Sequence, residues 1–155
     1  LAGVWADENT RPALYDARLR RETFATSGTF IRVRMFGGFG LTEADLAAPD
    51  FAARGYERGV PMGGDLKGQP GTQEPIFLIR ALKDPKSANL DRIQVVKGWL
   101  DSEGQKRKLV PMNASFVDNS SLPKLCSRNP PRRDILLLIR PERPAMMVTL
   151  VTALA

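Results

Sequence analysis

Histidine is absent from the 155 residues and cysteine occurs once, at Cys126. Those two counts exclude a Ser-His-Asp or Cys-His catalytic set, a zinc site of the usual Cys/His kind and an internal disulfide. Long hydrophobic runs are also missing. The longest, Ile135 to Ile139, is five residues between Asp134 and Arg140, against the roughly 20 that a membrane-crossing helix needs, so no membrane span is expected. Glycine is lacking from one region only: all 13 lie before Gln105 and none follows. The chain has no initiator Met and no basic-then-apolar leader, so Leu1 reads as the cut end of something longer. Compartment and oligomeric state are left open.

What is present is ordinary for one domain with a modest core: 43% hydrophobic and 26% charged residues. The net charge of +6 is unevenly placed. Residues 1–105 hold 14 Lys+Arg and 14 Asp+Glu, whereas residues 106–155 hold 9 and 3. A basic tail invites nucleic acid, but Phe116 is its one aromatic residue, so bases have nothing to stack on and no specific nucleic-acid partner is expected.

Along the chain, Asn9 or Thr10 can cap a helix that runs to about Arg21, with Pro12 in the first turn and Ala13, Leu14 and Ala17 on one apolar face. Ser27-Gly28 signals a turn. Ile31, Val33 and Met35 then alternate with Arg32 and Arg34, the pattern of a strand with one buried and one wet face. Gly37-Gly-Phe-Gly40 reads as a turn needing positive φ, since the Lys-Ser/Thr of a phosphate loop is missing. Thr42-Glu-Ala-Asp45 resembles a capping box with Asp in place of Glu, and Pro49-Asp50 can restart a second short turn of helix before Gly55. Pro75 to Leu82 is apolar on both parities, as a strand covered on both faces should be. Leu90 to Leu100 is a further strand, turning through Asp101 to Gly104 into a partner at Lys106 to Val110. In the tail, Ile135 to Ile139 and Met146 to Leu154 could pair as strands, though neither has turn chemistry that ties it to a sheet. Three or four good strands fall short of the seven or so of a sandwich.

Several runs carry a family resemblance: Gly3-Val-Trp-Ala-Asp-Glu-Asn-Thr-Arg11, Arg20-Arg-Glu-Thr-Phe-Ala-Thr-Ser-Gly28, Arg32-Val-Arg-Met-Phe-Gly-Gly38, Gly59-Val-Pro-Met-Gly-Gly-Asp65, Ala81-Leu-Lys-Asp-Pro85 and Ala88-Asn-Leu-Asp-Arg-Ile-Gln-Val-Val-Lys-Gly-Trp99. In this order, over about residues 1–105, they resemble the C-terminal part of large bacterial proteins of the domain of unknown function 3604 family, which in turn resembles the PHP class of metal-dependent hydrolases. The resemblance implies an α+β, mainly β chain: the last helix of an absent barrel domain, then an incomplete β-sandwich-like module and an irregular tail. The expected divisions are residues 1–28 for the barrel's end, 29–105 for the module with a helical insertion at 42–58, and 106–155 for a basic Pro/Arg-rich tail, poorly ordered or read in a shifted frame. Pro12 and Phe24 depart from the family pattern, which usually has a polar helix former and a tyrosine there.

On this reading the fragment is non-catalytic and holds no cofactor, the divalent metal ions of the parent hydrolase being bound by the missing N-terminal barrel domain, its expected partner. Trp5, Glu8, Asn9 and Arg11 are the candidate substrate-side residues, because the resemblance puts them just after a metal-ligand segment. Arg11 could pair with an anionic substrate, while Glu8 and Asn9 could equally cap the helix and Trp5 could equally be a core residue. The alternatives are a ligand- or carbohydrate-binding β module using Trp99, and nonspecific polyanion binding through the basic tail.

Overall fold

The computed structural model describes residues 1–68, 74–87, 90, 93, 95 and 98, together with the backbone of the rest of 92–100 and of 106–108, 112–113, 134–139 and 148–154. The described elements are α+β and mainly strands. Strand β1 (Ala2–Val4), helix α1 (Arg11–Leu19) and strand β2 (Thr23–Ala25) form an N-terminal unit, in which β1 and β2 pair antiparallel. Thr10 is the N-cap of α1, its hydroxyl accepting from the Ala13 N–H at 3.4 Å. Pro12 sits in the first turn, where its missing N–H costs nothing. At the other end the Glu22 N–H reaches Ala17 O at 3.1 Å and the Arg21 N–H reaches Arg18 O at 3.0 Å. These two bonds make a Schellman stop, with Arg21 in the left-handed conformation at φ 63° where glycine is usual. Of the three residues expected to form the apolar face of α1, only Ala17 is buried. Ala13 is half-buried and Leu14 is exposed.

Beyond Gly28, strand β3 (Arg32–Gly38) is followed by helices α2 (Glu43–Ala47) and α3 (Phe51–Arg58), then strands β4 (Val60–Pro61) and β5 (Ile76–Leu82). The capping box forms as expected: the Asp45 N–H donates to the Thr42 hydroxyl and the Thr42 N–H to the Asp45 carboxylate. Strand β6 (Arg92–Leu100) pairs antiparallel with β7 (Lys106–Lys108), with Trp99 opposite Arg107, and also with β8 (Met112–Asn113). The Trp99 side chain lies outside the described residues.

Both apolar segments of the tail pair as strands. Strand β9 (Asp134–Ile139) lies antiparallel to β5 and β10 (Val148–Leu154) antiparallel to β6. The sheets are therefore ordered β4-β3-β5-β9 and β10-β6-β7, with β8 also on β6. Long-range pairing brings the described strands to ten, where local turn signals suggest three or four.

Strand parity explains the layers. Val33, Phe77, Ile79 and Ala81 share one face of the first sheet and form a core cluster with Ile93 and Val95 of the second. The opposite face of the first sheet carries Phe36 and Leu78, which pack with Leu41, Leu46 and Phe51 beneath α2 and α3. Glycine allows this close fit. A Cβ at Gly55 would lie 2.6 Å from Phe36 Cε2, and one at Gly38 2.9 Å from Arg58 O. The Gly37-Gly38 pair thus serves close approach of neighbouring chains. The expectation of positive φ is corrected there, since among the described glycines only Gly28 and Gly63 have it.

Candidate anion-binding cleft

On the helix-covered face of the first sheet, rows of side chains follow from register: Arg32 opposite Leu82, Arg34 opposite Arg80, and Phe36 opposite Leu78. Helices α2 and α3 seal the Phe36–Leu78 end. The arginine end stays open as a cleft of about 170 Å³, lined by Arg32, Arg34 and Arg80 together with Trp5. Its remaining walls are Pro49, Phe51, Ala52 and Leu82. The face expected to be wet is thus partly roofed, by residues distant in sequence.

Trp5 reaches the cleft because its indole Nε1 donates to Val33 O at 3.0 Å. The Arg34 guanidinium lies 4.5 Å from the Trp5 ring centroid and 5.2 Å from that of Tyr56, inside the range of cation–π attraction. Arg34 Nη2 also donates to the Tyr56 hydroxyl at 2.9 Å. That hydroxyl donates in turn to Glu22 Oε2, and Glu22 Oε1 accepts from Arg20 Nε at 2.8 Å. Glu22 is only 2% exposed, so its charge is compensated by these contacts. Burial, followed by the hydrogen bond to Glu22, pushes the Tyr56 phenol above its ordinary range and keeps it protonated as a donor. Arg20, Glu22, Tyr56 and Arg34 thereby form one polar chain from the end of α1 to the cleft.

Arg80 approaches the Phe51 ring, its guanidinium carbon 6.0 Å from the centroid. Arg32 is exposed, and no described carboxylate pairs with it. Among the described residues no acidic side chain lines the cleft. Three arginines lining one opening make a positive site suited to a carboxylate, sulfate or phosphate group.

Of the residues expected from sequence, Trp5 lines this cleft. Glu8, Asn9 and Arg11 are exposed at the start of α1, and none of them lines it. Glu8 Oε1 accepts from the Thr10 hydroxyl at 2.8 Å, which braces the helix cap. Arg32, Arg34 and Arg80 were not singled out as site residues by sequence. The signal was the alternation of arginine with apolar residues in β3 and the lone cation within the apolar run of β5.

The donors among the described residues do not fit a metal centre. Among the described residues no three His, Cys, Asp or Glu side chains converge to hold an ion, and the buried carboxylates are committed elsewhere. Asp45 accepts from Thr42 and from Arg58 at 2.7 Å. Asp84 accepts from the N–H groups of Phe30 at 3.0 Å and Lys86 at 2.9 Å. Among the described residues no helix is long and apolar enough to cross a membrane.

No curated protein and no solved structure matches the chain. A family model does, over residues 1–131, so the family's pattern runs past the change in composition at Gln105. With that match covering most of its length, the chain belongs to the family described as "Protein of unknown function (DUF3604)".

Proposed function

We propose that this chain is a non-catalytic, ligand-holding β module of a metal-dependent, PHP-like hydrolase, and that its cleft holds an anionic group of the ligand. The metal and the hydrolytic step belong, on this reading, to a barrel domain outside this sequence. The observation that carries the proposal is that Arg32, Arg34 and Arg80 line one opening, with no acidic side chain among the described residues of its lining. An anion held there gains charge-assisted hydrogen bonds.

Thermal unfolding of the 155-residue chain at fixed ionic strength tests this. Added inorganic sulfate should raise Tm in a saturable way, as binding to the folded state alone requires. Arg32→Ala should weaken the effect about tenfold, a loss of about 1.4 kcal/mol. An equal rise in both proteins would overturn the proposal, because the stabilisation would then be general salt exclusion.

A further inference from the structure

Only part of the cleft wall is cationic. Trp5, Pro49, Phe51 and Leu82 present apolar surface, and Ala52 leaves space beside them. A fully hydrated inorganic anion would lose water against this wall and find no compensating donors on it. A ligand with an apolar body would gain from the same contact, at about 25 cal/mol per Å² buried. Size narrows the class further, since a cavity of roughly 150 Å³ accepts a benzene ring and this one offers about 170 Å³.

Resting on the anion-binding reading above, we infer that the ligand group held here is a small organic anion, a single flat ring or body of similar size bearing a carboxylate-like head. Its head meets Arg32 at the exposed edge. Its body lies along Trp5 and Leu82 toward Ala52. Arg34, which also lines the opening, is held in place by a hydrogen bond to the Tyr56 hydroxyl, which is itself bonded to Glu22. The recognition is therefore bipartite, with charge at one end and apolar contact at the other.

Calorimetric titration of the 155-residue chain with benzoate, inorganic phosphate and benzyl alcohol at one ionic strength tests both halves. Benzoate should bind at least tenfold more tightly than either other probe. Ala52→Leu fills the apolar end and should weaken benzoate at least tenfold, leaving phosphate within about twofold. Arg32→Ala should weaken both anions. Phosphate binding as tightly as benzoate would overturn the inference and leave the anion-binding reading standing, and so would an Ala52→Leu protein of unchanged Tm that keeps its benzoate affinity. Benzyl alcohol equal to benzoate would remove the role of charge and overturn both readings. Binding of none of the three would also overturn both. The comparison of probes on the unmodified chain decides the matter even if Ala52→Leu fails to fold.

Discussion

Arg34 and Arg80 stand opposite one another in the β3–β5 register, two cations on the same face of adjacent strands. Their repulsion is offset by aromatic neighbours, with Arg34 against Trp5 and Tyr56 and Arg80 near Phe51. It is also offset by the Tyr56 bridge to the Glu22 carboxylate. The cleft and the joint between the N-terminal unit and the β module are thus one construction. Trp5 and Glu22 come from that unit, Arg34 and Tyr56 from the module, and each side completes the other's hydrogen bonding.

Tyr56→Phe separates the hydroxyl from the ring. The ring packs edge-on against Phe36 at 5.2 Å between centroids, a contact that phenylalanine keeps. The buried Glu22 carboxylate loses one donor and Arg34 loses its acceptor, so the variant should be destabilised by about 1–3 kcal/mol. The phenol's raised pKa adds a pH dependence. Its contribution is fully present below the unfolded tyrosine value of about 10 and is lost as pH rises through the higher folded value. Chemical denaturation at pH 7 and above pH 10 should therefore show a smaller difference between Tyr56→Phe and wild type at the alkaline end.

Much of the local structure was legible in sequence because its causes are local. Thr10, Pro12, Thr42 and Asp45 take the capping roles that their spacing suggests, and Ile79 is fully buried in a strand whose two parities are both apolar. The cleft was not legible. Alternation in β3 says which face is polar, but the roof over Arg34 is Trp5, hydrogen-bonded 28 residues away at Val33. Glu22 likewise follows the basic end of α1 with no local mark of burial. Its phenol partner lies 34 residues on. The pairing of β9 and β10 is longer-ranged still, which is why the absence of turn chemistry beside them was a poor guide.

Gly55→Ala should reverse the usual rule for helices. An exposed helical Gly→Ala change gains about 1 kcal/mol. Here the added Cβ would enter the Phe36 ring, which is itself fully buried. The expected result is a loss of about 1–3 kcal/mol from overpacking, seen as a lower denaturation midpoint with unchanged m-value. A gain in stability would mean that Phe36 can move aside.

Arg21→Gly should act in the opposite direction. Arg21 holds a left-handed conformation that costs an L-residue about 1–2 kcal/mol. Glycine avoids that cost but loses more chain entropy on folding. The exposed Arg21–Asp65 contact at 3.5 Å is worth little. A net gain of about 0.5–1 kcal/mol in Tm-based stability is expected, and a loss would show that the Arg21 side chain contributes more than its surface position implies.

Asp45 is 1% exposed, with its carboxylate held by Thr42 and Arg58 and, at 3.4 Å, by Arg54. The Thr42 hydroxyl foremost, with the Thr42 N–H and the two arginines adding to it, holds the carboxyl below its usual range. Its stabilisation is therefore present above the unfolded value of about 3.9 and is lost as pH falls through the lower folded value. Asp45→Ala should cost about 2–4 kcal/mol at pH 7, from the lost cap and the lost charge-assisted bonds together. Because α2 and α3 seal one end of the arginine face, loosening them should also weaken sulfate binding. Urea melts at pH 7 and pH 3 check the first part: the gap between wild type and Asp45→Ala should shrink at the lower pH. A gap of equal size at both would assign the loss to packing of the α2 turn, with no share for the ionised carboxylate.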